Sequence, residues 1–226
     1  MGRTGVVRAM AVAGLVLAGA ACSDPPDSVT SGGTARGGCE DLLALSVDVG
    51  HGTPEVLVDD GGGLRSITPD QVTTSPRFSP DGSTLVVVRA EGDYESAGPD
   101  STELWLLDPD GSNPRDLVDG TSTTLEEHPA WSPDGRTIVF SQYRGGPPGG
   151  LQLMTVPATG GPATPLLPET QAWDQDPAWS PDGEQIAFAR RPEGDGEGPW
   201  TVLTVPAEGG EPRAVAEVPM VGGMVS

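Results

Sequence analysis

The sequence predicts an all-β chain made by repeating one antiparallel unit, and three observations carry that expectation. Residues 75–82, 128–135 and 176–183 align one for one around a shared Ser-Pro-Asp-Gly motif. The serines of that motif, Ser79, Ser132 and Ser180, recur about every 50 residues, a period typical of stacked or radially arranged repeats. Each motif then runs into an alternating stretch rich in β-formers, at residues 84–89, 137–142 and 185–190. Composition agrees. With 33 glycines and 24 prolines in 226 residues, the chain is either disordered or a turn-rich β fold. The periodicity selects the second.

Within a unit, the first strand ends on an apolar ring: Phe78, Trp131 or Trp179. Such a ring is expected to pack between neighbouring units rather than to touch a ligand. The turn that follows holds Asp81 and Gly82, Asp134 and Gly135, or Asp182 and Gly183, with glycine at the position that needs a left-handed backbone. A second strand comes next, then a loop, and a third strand at 104–108, 151–156 or 200–205. Tight turns at 109–113, 157–161 and 206–210 lead to a short fourth strand at 115–118, 163–167 or 213–216. Four short antiparallel strands in about 40–50 residues make a propeller blade.

A weaker unit lies upstream. Residues 42–49 alternate like a second strand and 55–68 match the third and fourth, without the Ser-Pro-Asp-Gly element. The expected fold is therefore β-propeller-like, with about four four-stranded antiparallel blades, three clear and one partial. The units lie near 40–68, 75–118, 128–167 and 176–217 of a domain spanning 40–226. Two arrangements satisfy this pattern. Residues 219–225 supply the missing first strand and close a ring, or the units form an open arc whose exposed edges invite self-association.

The PxWSPDG-strand-loop-strand-DxxG unit resembles the TolB-type, WD40-like propeller repeats of bacterial envelope proteins. The resemblance implies a protein-interaction role in the envelope. It covers the blade skeleton only, so it carries over no partner-binding residue.

The N-terminus reads as an address. Arg3 and Arg8 precede an apolar run, 9–21, that is shorter than the about 17–25 residues of a spanning helix. That is the pattern of a secretory signal peptide, residues 1–21. Residues 17–22 (LAGAAC) resemble a bacterial lipoprotein cleavage box, which implies a lipid on Cys22 and a membrane-anchored, extracytoplasmic chain. A Cys22–Cys39 disulfide is the alternative. Residues 22–39 are rich in Ser, Gly, Pro and Asp and are expected to act as a tether.

Charge narrows the partners. The formal net charge is −21, from 33 acids against 12 basic residues, all of them arginine. Nucleic acid and anionic membrane surfaces need a positive patch and are excluded as electrostatic partners. The chemically rich residues gather in the second-to-third and inter-unit loops, which up-and-down connections place on one face. They are Tyr94, Glu95, Glu126, Glu127, Tyr143, Arg144, Trp173, Asp174, Arg190 and Arg191. Acids interleaved with Tyr, Trp and Arg suit a recognition surface for an envelope protein.

No catalytic, cofactor or metal site is expected. There is no Gly-x-Ser-x-Gly elbow. His128 stands where the other repeats carry Ser75 and Asp176, and residues 108–113 lack the bidentate acid that would complete a calcium loop. The reading is a non-catalytic binding scaffold. Its alternatives are an accessory module related to the propellers of prolyl-oligopeptidase-type peptidases, or a fragment of a larger propeller.

Overall fold

In a computed structural model, residues 42–48, 54–69, 72–91, 101–118, 124–143, 150–168, 172–192 and 199–218 are described. They form strands and turns only, so the fold is all-β. The first unit contributes three strands, β1 (Leu43–Asp48), β2 (Pro54–Asp59) and β3 (Arg65–Ser66), paired in that order. The second has four: β4 (Thr73–Phe78), β5 (Leu85–Glu91), β6 (Ser101–Leu107) and β7 (Arg115–Asp116). The third has β8 (Leu125–Trp131), β9 (Thr137–Tyr143), β10 (Leu151–Pro157) and β11 (Thr164–Pro165). In the fourth are β12 (Trp173–Trp179), β13 (Gln185–Arg191), β14 (Trp200–Pro206) and β15 (Arg213–Val218).

Within each unit neighbouring strands are antiparallel. The second and third units are joined by parallel pairing of Thr102 with Leu125 and of Val118 with Gly161, and the third and fourth by Leu151 with Trp173, while the first unit forms a separate sheet. Among the described residues no strand of the fourth unit pairs with the first, so no closed ring is seen. Residues 219–225, expected as a closing strand, lie outside the described residues.

The Ser-Pro-Asp-Gly turn explains its own recurrence. In the third unit the Ser132 hydroxyl donates to Asp134 Oδ1 at 2.6 Å and accepts from the Thr137 amide at 3.0 Å. Asp134 Oδ1 also accepts from the Arg136 amide, and the Gly135 amide closes the turn on the Ser132 carbonyl. Ser79 with Asp81 and Ser180 with Asp182 repeat the arrangement. These hydrogen bonds, led by the serine hydroxyl, hold all three carboxyls below the ordinary aspartate range. Gly82, Gly135 and Gly183 adopt φ of 70°, 70° and 73°, where a side chain would be strained. Ser132→Ala removes a buried donor-acceptor and leaves the Thr137 amide unsatisfied. A loss of about 1–2 kcal/mol in urea unfolding is expected.

The core lies between units. Ala44, Val56, Val58 and Ile67 of the first unit meet Phe78, Leu85, Val87 and Leu107 of the second. Val86, Val88, Leu104 and Leu106 meet Ile138, Phe140, Met154 and Val156, with Trp131 against them. Val139 and Leu153 meet Ile186, Phe188, Leu203 and Val205, with Trp179 against them. The aromatic ring of each first strand thus packs against the preceding unit, as the repeat pattern predicts. The Trp131 indole also donates to the Arg77 carbonyl at 3.1 Å, and Trp179 to the Ala130 carbonyl at 3.2 Å. These carbonyls occupy the same repeat position.

Candidate functional site

Up-and-down strands bring the starts of first and third strands and the ends of second strands to one end of each unit. Seven of the ten residues expected on the recognition face are described, and they lie there. They sit on strand ends rather than in loops, because the first strands extend upstream of where the sequence suggests. Pro76, Pro129 and Pro177 interrupt the pattern, and a proline ordinarily ends a strand. Here each follows a residue in left-handed backbone: Ser75 at φ 52°, His128 at 54° and Asp176 at 52°. The ladder shifts register at these places, between Thr74 and Arg77, Glu127 and Ala130, and Gln175 and Ala178. A bulge absorbs the proline and the strand continues. Tyr94, Glu95 and Arg144 lie outside the described residues, as does Cys22.

Four side chains form a continuous stack across the third and fourth units. Tyr143, at the end of β9, stacks on Trp173, at the start of β12, with ring centroids 6.1 Å apart and planes at 23°. The Arg191 guanidinium lies over Trp173 at 5.4 Å and over Trp200 at 4.9 Å. The backbone sets this order. Tyr143 and Trp173 both pair with Leu151, and Trp173 pairs with Arg191. All four side chains are half-buried. Trp200 is the member that sequence reasoning placed in a strand and left out of the face; its position at the start of a third strand is the signal that would have found it.

Two of the expected face residues are buried instead. Asp174 is 0% exposed and takes a bidentate pair from Arg190, whose Nε and one terminal nitrogen each lie at 2.7 Å. That contact raises the Arg190 pKa above its ordinary value. Glu126 is 3% exposed; it accepts from the Leu104 amide at 3.0 Å and from the Gln142 carboxamide at 3.2 Å. Both carboxylates are enclosed because first-strand residues alternate inward and outward and these two fall on the inward phase; Glu126 reaches the preceding unit, and Asp174 pairs within its own. Glu127, on the other phase, is half-exposed. It stands 3.9 Å from His128 Nδ1, while His128 Nε2 lies 3.5 Å from Asp176.

The opposite end carries the Ser-Pro-Asp-Gly turns. A cleft there is lined by Ser132, Pro133, Asp134, Trp179, Asp182 and Gly183. Its walls are the turn motif itself, so it is a product of the repeat. Among the described residues no three His, Cys, Asp or Glu side chains are grouped to hold a metal ion. Nor is any helix among them long and apolar enough to cross a membrane.

A family model described as TolB beta propeller domain matches residues 48–215. Among solved structures, one assigned to TolB from Agrobacterium tumefaciens is similar with a TM-score of 0.66 at 21% identity, over 79% of this chain and 62% of that one. TolB from Acinetobacter baumannii gives 0.58 at 18% identity, over 79% of this chain and 41% of that one. A prolyl endopeptidase gives 0.56 at 13% identity, over 78% and 28%. The chain thus spans less than two thirds of the length of each of these structures. At such identities the likeness is one of fold.

Proposed function

The chain belongs to the TolB beta propeller domain family, and on that footing we propose that it is a non-catalytic binding scaffold of the bacterial envelope. In this reading Cys22 carries the lipid, residues 23–38 form the tether, and the strand-end face meets a protein partner. The observation that carries the reading is the Tyr143–Trp173–Arg191–Trp200 stack. Side chains locked against one another lose little further freedom on binding, and Tyr, Trp and Arg are the types that anchor interfaces. Glu127 and Asp176 lie on the same end and give that surface an acidic component.

The test uses the full chain as bait in membrane extracts, with the Tyr143→Ala/Trp173→Ala variant beside it. Loss of two anchoring aromatics weakens capture of a specific partner by about 30-fold or more. Equal capture by both baits removes this surface from consideration. The mass of the mature N-terminus tests the anchor: a diacylated Cys22 supports it, and an unmodified thiol or a Cys22–Cys39 bridge refutes it. Similarity to a prolyl endopeptidase supports a second reading, an accessory propeller that works beside a separate catalytic chain. Peptidase activity in the purified chain alone would overturn both.

A further inference from the structure

One position of the first strand is buried in the second, third and fourth units, and its chemistry differs from unit to unit. Thr73, Glu126 and Asp174 each stand six residues before the motif serine and are 1%, 3% and 0% exposed. Each pairs across to the second strand: Thr73 with Arg89, Glu126 with Gln142, Asp174 with Arg190. In the fourth unit the buried carboxylate has its guanidinium. Arg89, in the second unit, meets Thr73 rather than an acid on the first strand; it pairs with Glu103 on β6 and lies over Trp105 at 4.8 Å. The third unit keeps the acid but holds glutamine where the others hold arginine.

Glu126 therefore sits at a junction with two neutral donors. The Leu104 amide comes from the preceding unit and the Gln142 carboxamide from its own. Around it the junction is tied by the Thr102 hydroxyl, which donates to the Glu126 carbonyl at 2.8 Å and accepts from the Glu126 amide at 2.6 Å. The Thr102 amide reaches the Thr124 carbonyl at 3.1 Å. The charges that bear on Glu126 from the preceding unit are Glu103 on β6 and Asp116 on β7, both acidic. Glu127 and His128 follow it on β8, and among the described residues no cation pairs with Glu126.

We propose that Glu126 is a proton-operated latch between the second and third units, closing the β6–β8 junction when neutral and loosening it when ionised. An ionised carboxylate at this depth, with two further acids bearing on it and neutral donors at both oxygens, is stabilised by admitting water, and water enters where the junction parts. Burial, the largest influence, pushes the carboxyl up to about 7, against the two hydrogen bonds that lower it. The sign follows from linkage. Between the ordinary glutamate range and about 7 the folded chain holds a proton that the unfolded chain has released, so raising the pH through that window weakens the junction. Leu125 and Glu126 pair with Tyr143 and Gln142, so the latch lies one residue from the aromatic stack.

Hydrogen exchange read at the Leu104 and Thr102 amides of the full chain tests this, after correction for intrinsic rates. In the parent protein, protection falls by at least about tenfold between about pH 5 and about pH 8. Glu126→Gln keeps both amides protected at both pH values, because the carboxamide cannot ionise. Gln142→Arg restores the arrangement of the fourth unit and flattens the same profile by pairing the ionised acid. A parent profile without the fall overturns the proposal, as does an unchanged fall in Glu126→Gln. Should that variant not fold, an unchanged fall in Gln142→Arg overturns it equally. None of these readouts depends on a binding partner, so the latch can fail while the recognition face stands, and the reverse.

Discussion

Truncating Phe140 to Ala lowers the unfolding free energy by about 3–5 kcal/mol and the melting temperature by roughly 10 °C. Phe140 is 0% exposed at the centre of the junction between the second and third units, among Val86, Val88, Leu104, Leu106, Ile138 and Met154. Each unit has its apolar side chains on sheet faces that only a neighbouring unit covers. The lost ring therefore leaves a cavity walled by two sheets, and neither can close on it without breaking its own ladder. Urea and thermal melts check the size of the effect. Their slope reveals its nature: an unchanged denaturant dependence means the chain still unfolds as one body, and a shallower one means that the units have come apart separately.

Arg190→Gln is expected to cost about 3 kcal/mol, because it leaves Asp174 buried without its partner. Asp174 is fully enclosed while the Arg190 side chain retains 26% of its exposure, so the carboxylate bears most of the penalty. A double change, Asp174→Leu with Arg190→Leu, removes the charge along with its partner and is expected to recover most of the loss. Urea unfolding of the two variants beside the parent decides the matter. If the single variant is as stable as the parent, the pair is an incidental surface contact, contrary to its burial. The variant also reproduces in the fourth unit what the third unit already carries, a buried acid opposite a glutamine.

Much of the fold was legible in the residues because each blade repeats its turn chemistry. Ser-Pro-Asp-Gly fixes where a first strand ends and a second begins, and Phe78, Trp131 and Trp179 mark the side facing the previous unit. What was not legible lay upstream of Pro76, Pro129 and Pro177. A proline and a polar run read as loop, yet a left-handed residue before the proline lets the strand continue. That one local feature moved Glu126, Glu127, Trp173 and Asp174 from loop to strand, and Thr102 of β6 is buried against Glu126. Inward or outward phase then separated Glu126 and Asp174 from Glu127. Phase cannot be counted through a bulge whose position is unknown, so the sequence alone could not sort them. The aromatic stack was half legible. Tyr143, Trp173 and Arg191 were named from composition, and Trp200 required the strand order.

The indole links have a use in construction. Trp131 and Trp179 each donate to a carbonyl of the unit before, and the corresponding position in the second unit is Phe78, which has no N–H to give. The first unit, beginning with a second-type strand, offers no first-strand carbonyl among its described residues. A first strand supplied to the first unit would thus gain this hydrogen bond from the second only with Phe78→Trp. One grafted downstream could lean on the Ala178 carbonyl with its own tryptophan and no change to this chain. The molecule carries a joining rule that can be extended at one end by addition and at the other only by substitution.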